Sequence, residues 1–263
     1  YLRLPYRVTA PNLLLPVGIS FYTVQSVGYL IDVYRGTVEP EKHLGLFALF
    51  TGFFAKLSAG PIERAGHLLP QFRQAHSLDA ARLFSGLQLM LWGMFKKVVI
   101  ANFLATAIVD PVFVAPSRHD NWELLVGAWS YAVQIYADFS GYTDIAIGLA
   151  LLMGFIFPQN FRSPYRALGF RDFWRRWHMT LSRFLRDFLY IPLGGNRKGP
   201  RRTYINLMLT MLLGGLWHGA AWTFLIWGGI HGSALAGERW LGERYPRVHL
   251  PRWLAWAVTF NVV

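Results

Sequence analysis

The chain contains no cysteine. Disulfides, thiolate metal sites and a cysteine nucleophile are therefore excluded within its 263 residues. Charge is scarce as well. Only 15% of residues are charged, where a soluble domain of this length carries roughly a quarter. No HExxH pattern or other close-spaced set of ligands is present, so a metal site has little support. No internal repeat or low-complexity tract is visible either, and the inverted repeats that mark many transporters are missing.

Apolar residues fill the space that charge leaves. The chain is 54% hydrophobic and 16% aromatic, and its apolar runs approach the ~20 residues needed to span a bilayer. These features predict an all-α, polytopic integral membrane protein with interfacial or re-entrant amphipathic helices. The formal charge of +12 raises a nucleic-acid groove as an alternative. The basic residues lie in loops between apolar spans, however, and the positive-inside bias accounts for them better. No nucleic acid is expected as a partner. The chain begins at Tyr1 and ends at Val262-Val263 within an apolar run. It reads as one membrane-embedded domain over 1–263, a fragment incomplete at both ends, with any signal peptide outside it.

A short basic segment at 2–7 precedes candidate spans at 12–31, 43–58 and 83–109. The second is short and carries Lys56, and the third is interrupted by Lys96-Lys97. A fourth apolar segment, 124–156, is too long for one upright pass and must tilt, break or leave the bilayer. The block 162–202 has eleven Lys or Arg against Asp172 and Asp187, which places it in the cytoplasm. Counting back by alternation puts the N-terminus and the loop 59–82 on the same side, and the loops 32–42 and 110–123 outside. Residues 203–240 read either as two short passes or as one broken helix with an interfacial piece. A basic loop at 238–252 favours two passes.

Residues 170–220 hold the chemistry. On a helical wheel, Phe173, Trp174, Trp177, Leu181, Phe184, Leu185 and Phe188 share one arc of a helix over 171–190. Arg175, Arg176, Thr180, Ser182, Arg183, Arg186 and Asp187 take the opposite arc, the pattern of a helix in a membrane interface. The uncharged run 204–217 then delivers His218, ~22 Å along a helix from Thr203, to a break flanked by glycines. An ionisable group at such depth is a functional candidate by default. Its bland reading is an imidazole satisfied by a carbonyl. Gly214, Gly215 and Gly219 weigh against that, since they allow a substrate close approach.

His178 alone reads as a packing residue. Paired with His218 from another segment, it makes a plausible acid–base arrangement near neutral pH. His231, in Gly228-Gly229-Ile230-His231-Gly232, reads as structural. Asp138 and Asp144 fit a proton relay or ion site, or equally well capping and pairing with Lys96, Lys97 or an arginine. Six residues set them ~120° apart on a straight helix, which disfavours a shared ligand. The arginines are interfacial anchors by default, and a second use is to hold the phosphates of a cytoplasmic cofactor.

Seven segments together carry a resemblance: Ser58 to Arg64, Phe95 to Ala101, Asp138 to Asp144, Pro158 to Phe161, Phe173 to His178, Tyr190 to Arg197, and Gly215 to Ala220. In this order the chain resembles the membrane-bound O-acyltransferase family, in particular its bacterial alginate and polysaccharide O-acetyltransferase branch. The resemblance covers nearly the whole chain and lacks the family's first and last helices. It implies that His218 is the family's invariant membrane histidine and His178 its second polar position. Trp217, Asp138, Tyr142, Asp144, Asn160, Arg175 and Arg176 are candidate substrate-binding residues.

The implied activity is transfer of an acyl group, acetyl foremost, from a cytoplasmic thioester such as acetyl-CoA. The acceptor would be hydroxyls of an exported polysaccharide such as alginate, directly or through periplasmic acetyltransferase partner proteins. His218 would be the base, and His178 or a neighbouring donor would orient the acyl group or stabilise the oxyanion. Lipid surrounds the protein, and the location implied is the bacterial inner membrane, with several passes. Two alternatives are D-alanyl transfer to teichoic acid from a carrier protein and, in another class, an ion-coupled transporter built on the two aspartates.

Overall fold

A computed structural model describes residues 18–77, 79–247 and 250–263. The basic segment at 2–7 and the first part of the span at 12–31 lie outside the described residues. Those described form helices and turns, with no strand among them. The all-α expectation holds.

Helix α1 (Ile19–Tyr34) ends on Arg35 and Gly36, whose φ of 69° suits the left-handed residue that commonly closes a helix. The next apolar stretch departs from expectation, because 43–58 is not a pass. Its helix α2 (Leu44–Gly52) has nine residues and rises about 13 Å, less than half of a ~30 Å hydrocarbon core. Beyond it the chain turns over. Leu57 packs on Gly18 at the start of α1, where a Cβ would lie 1.9 Å from the Leu57 carbonyl oxygen. Arg64 then sits 3.5 Å from Asp32 at the other end of the same helix. The excursion is re-entrant in outline: it leaves and returns to the same end of α1. Lys56 is wholly buried at its turning point, held by Gln25 Oε1 and by the Phe50 carbonyl at 2.6 Å.

This geometry also corrects the sidedness of the loop 32–42. Arg64 Nη2 donates to Asp187 Oδ2 at 2.9 Å, and Arg35 Nη1 donates to the Asp187 carbonyl at 3.3 Å. Arg73 pairs with Glu41, whose carboxyl the His43 backbone N–H and the Arg73 guanidinium hold below the usual carboxylate range. The loop therefore shares one face with 59–77 and with the basic block. Simple alternation failed there because it counted the re-entrant excursion as a full crossing.

Helix α3 (Ala65–Phe72) packs Leu68 and Leu69 into an aromatic core with Phe50, Phe53 and Phe157. Helix α4 (Ala80–Val114) is the one helix among the described residues that is both long and apolar enough to cross a membrane. It is not interrupted at Lys96-Lys97; it widens there into a π turn, Phe95–Ala101. Helix α5 (Asn121–Leu152) starts at a capping box formed by Asp120 and Glu123. Its 32 residues rise about 48 Å, more than a ~30 Å hydrocarbon core. Helices α4 and α5 run antiparallel with glycine on glycine. A Cβ on Gly93 would lie 2.5 Å from the Gly141 carbonyl oxygen, and one on Gly148 2.6 Å from that of Gly86. Small residues allow backbones this close.

The amphipathic helix over 171–190 is broken in two: α6 (Phe170–Trp174), then α7 (Met179–Leu185), continued by a π turn through Tyr190. The extended segment 159–162 causes the break by capturing backbone groups. Met179 N donates to the Asn160 carbonyl and Arg162 N to the Arg176 carbonyl, each at 2.9 Å. The expected arcs survive in part, with Phe173 and Leu181 buried and Arg175, Arg183 and Arg186 exposed. Thr180, expected on the polar arc, is buried.

Helices α8 (Pro200–His218) and α9 (Trp222–Arg244) form a tight hairpin, the two-helix alternative for 203–240. Gly215 and Gly228 are its points of closest approach: a Cβ there would lie 2.3 Å from the Phe224 oxygen and 2.4 Å from the Met211 oxygen. Helix α10 (Arg252–Val262) is tied back by Trp256, whose Nε1 donates to the Tyr165 carbonyl at 2.8 Å.

Candidate active site

The break between α6 and α7 gives His178 its position. Its φ of 39° puts a non-glycine residue in the left-handed region, at a cost on the order of 1–3 kcal/mol that surrounding structure must offset. The offset is visible. Asn160, at 0% exposure, lies beneath the ring, and its Oδ1 faces His178 Nδ1 at 3.1 Å. The same oxygen accepts from Thr180 N at 3.2 Å and from Thr180 Oγ1 at 2.9 Å. Thr180 Oγ1 in turn accepts from Ile62 N at 3.0 Å, so the re-entrant loop is fastened to the break. Phe139 from α5 meets the imidazole edge to face at 4.8 Å, and Phe21 and Phe161 stack on it at 6.5 and 6.4 Å.

His218 closes α8 at the tip of the hairpin and is exposed. The structure brings it to His178 through one side chain. The Trp217 indole lies 6.1 Å from the His178 ring and 4.9 Å from the His218 ring, centroid to centroid. Several polar atoms here are buried without a partner among the described residues, among them His178 Nε2, Trp217 Nε1 and Asn160 Nδ2. Each is a hydrogen-bonding group that a substrate can satisfy. On the other side of His218, Trp227 lies at 5.3 Å, followed by His231 at 4.6 Å from Trp227. His231 is buried and packs against Phe173 and Trp174, and its Nδ1 is also without a partner among the described residues.

A cavity of about 710 Å³ opens on the basic face, lined by Arg171, Arg175, Arg183, Arg186, Arg197 and Arg239. Trp174 also lines it, and stands 5.8 Å from Trp227. Aromatic contacts thus run from the arginines to His218. Arg176 is outside this wall, its Nε bound to Asp172 Oδ1 at 2.8 Å. Asp138 and Asp144 are also apart from the histidines. Lys97 donates to Asp138 at 2.6 Å, while Lys96 pairs with Asp144 and donates to Ser140 Oγ at 3.0 Å. Tyr142 is half-buried on the same helix and neither bonds nor stacks with a histidine among the described residues. No group of His, Asp and Glu side chains able to hold a metal occurs among the described residues.

Residues 43–263 match the model of the membrane-bound O-acyltransferase family. The chain belongs to that family. Among similar proteins is one named probable alginate O-acetylase AlgI, from Pseudomonas putida, 49% identical over 263 residues. That match covers 98% of this chain and 52% of the relative. A peptidoglycan O-acetyltransferase of Helicobacter pylori is 41% identical, over 96% of the chain and 53% of the relative. A teichoic acid D-alanyltransferase of Bacillus subtilis is 28% identical, over 96% of the chain and 67% of the relative. The chain spans about half the length of the first two. Sequence reasoning gave no site role to Phe21, Ile62, Phe139, Thr180 and Trp227, which the structure places around the two histidines or their supports. Ile62 and Phe139 lie in segments that carry the family resemblance, but only tertiary contact gives any of the five a place beside the histidines.

Proposed function

We propose that the full-length protein transfers an acetyl group from acetyl-CoA, at the cytoplasmic face, toward hydroxyls of an exported polysaccharide such as alginate. The reading is supported by one observation: an arginine-lined cavity is bordered by Trp174, which packs on Trp227, which in turn packs on His218. Guanidinium forks suit the phosphates of CoA, and the thioester arm would pass inward along the aromatic residues. His218 takes the proton of the acceptor hydroxyl as its oxygen attacks the thioester carbonyl carbon. The C–O bond forms, the C–S bond breaks, and the proton passes from the imidazolium to the departing thiolate. Trp217 Nε1–H is available to the carbonyl oxygen as negative charge develops there. His178 lies behind the same indole as the second polar group.

The basic face is cytoplasmic on this reading, the protein crosses a bacterial inner membrane several times, and periplasmic partners carry the acetyl group onward or present the polymer. D-alanyl transfer from a carrier protein is the second reading. The 49% and 41% identities to proteins named for O-acetyl chemistry, against 28% for the D-alanyltransferase, favour the first. The pairing of both aspartates with lysines gives the transporter reading less support than the histidine site gives acyl transfer.

The test uses full-length protein in liposomes with acetyl-CoA labelled in the acetyl group, and an acetylated carrier protein as the competing donor. Labelled acetyl should reach oligosaccharide from CoA, and His218→Ala should lower turnover by at least ~10²-fold. Transfer from the carrier alone would favour the second reading.

A further inference from the structure

We infer that Asn160 is a positioning residue which locks His178 in one tautomer, with the proton on Nδ1 and a bare lone pair on Nε2. The inference goes beyond the proposed function and rests on it only in giving His178 a place in the reaction. The assignment follows from a donor that cannot change its role. Thr180 N is a backbone N–H and can only donate. The Asn160 atom that faces it must therefore be the carbonyl oxygen, because the amide NH₂ there would set donor against donor. That same oxygen faces His178 Nδ1 at 3.1 Å. A neutral imidazole carries one N–H, and facing an acceptor that N–H must be on Nδ1.

Nε2 is left as an acceptor, buried and without a partner among the described residues. The groups packed around the ring add no rival for the proton. Phe21, Phe139 and Phe161 carry no polar side-chain atom, and Trp217 offers only an N–H. Asn160 itself has little freedom to bind substrate through Oδ1, which already accepts from His178 and from both donors of Thr180. The expectation that His178 donates to the oxyanion is thereby replaced. His178 accepts a hydrogen bond, from the acceptor hydroxyl or from protonated His218, and the oxyanion donor falls to Trp217.

The experiment compares Asn160→Asp, Asn160→Leu and His178→Gln in the full-length protein in liposomes. Magic-angle-spinning NMR of ¹⁵N-histidine reads the tautomer, and donor titrations give kcat and KM. Asp keeps the acceptor oxygen, and Asn160 Nδ2 has no partner to lose. The wild type and Asn160→Asp should both show the signature of Nδ1–H with bare Nε2, at the resonance that His178→Gln removes. Asn160→Leu should lose that signature and about 10²-fold in kcat, with KM for acetyl-CoA nearly unchanged. An unchanged tautomer in folded Asn160→Leu overturns the inference. So does an inserted Asn160→Asp with the wrong tautomer or with turnover as low as that of His178→Gln, which decides the matter even if the leucine variant fails to fold. Full turnover in His178→Gln would instead overturn the place given to His178 in the reaction, whichever tautomer the spectrum reports.

Discussion

The two histidines at the centre of this molecule should answer replacement differently. His218 is exposed at a helix end and makes no hydrogen bond among the described residues, so His218→Ala should leave insertion and melting temperature nearly unchanged while turnover collapses. His178 is 1% exposed inside aromatic walls. His178→Ala should therefore cost activity and also about 2 kcal/mol of stability, seen as a lower melting temperature in detergent. Equal melting temperatures for the two variants would contradict the burial described above. His218 was legible in the sequence because glycines flank it and its neighbours carry no charge. The support under His178 was not. Its hydrogen bonds join residues 18 to 118 positions apart, and no local periodicity encodes such separations.

Periodicity found helices and missed where they stop. The wheel over 171–190 sorts arginines from aromatics because both halves of the broken helix keep their own amphipathic faces. The break is imposed by hydrogen bonds from 159–162, outside the window. Between α4 and α5 the pairing of Lys96 and Lys97 with Asp144 and Asp138 was open to expectation, since opposite charges in apolar segments need partners. Asp144→Asn should strand the Lys96 ammonium and reduce assembled yield, whereas Lys96→Met combined with Asp144→Leu should recover much of that loss. A fully assembled Asp144→Asn protein as inactive as His218→Ala would give the carboxylate a part in the reaction. Gly141→Leu tests the same helix pair. Its side chain would enter space where even a Cβ meets the Gly93 oxygen at 2.7 Å, and the variant should lose at least about 1–3 kcal/mol.

The distribution of charge over the whole chain located its basic face, and alternation then misplaced one loop on it. The reason is physical: an apolar run of sufficient composition need not be a crossing when its helix is too short. Single cysteines in an otherwise cysteine-free full-length background make this measurable. Cysteine at Glu39 and at Lys198 should both react only with reagent on the cytoplasmic side, while cysteine at Ser117 should react only from outside. All three positions are exposed. Labelling of Glu39→Cys in intact cells by an impermeant maleimide would restore the simple alternation.

The walls around His178 also set an order of events during synthesis. Phe21 leaves the ribosome early, Phe139 and Asn160 follow, and Trp217 comes last. Until α8 has been made, the imidazole lacks one side of its enclosure, and the left-handed turn that carries it rests on the Asn160 hydrogen bonds and on Phe21, Phe139 and Phe161. Contacts this distant along the chain form late and slowly. A nascent chain arrested before residue 200 should therefore leave this stretch open to protease, and protection should arrive only once 217 has been synthesised. A chain that stalls short of Trp217 therefore carries the arginine-rich α6–α7 segment with one wall of the His178 pocket missing.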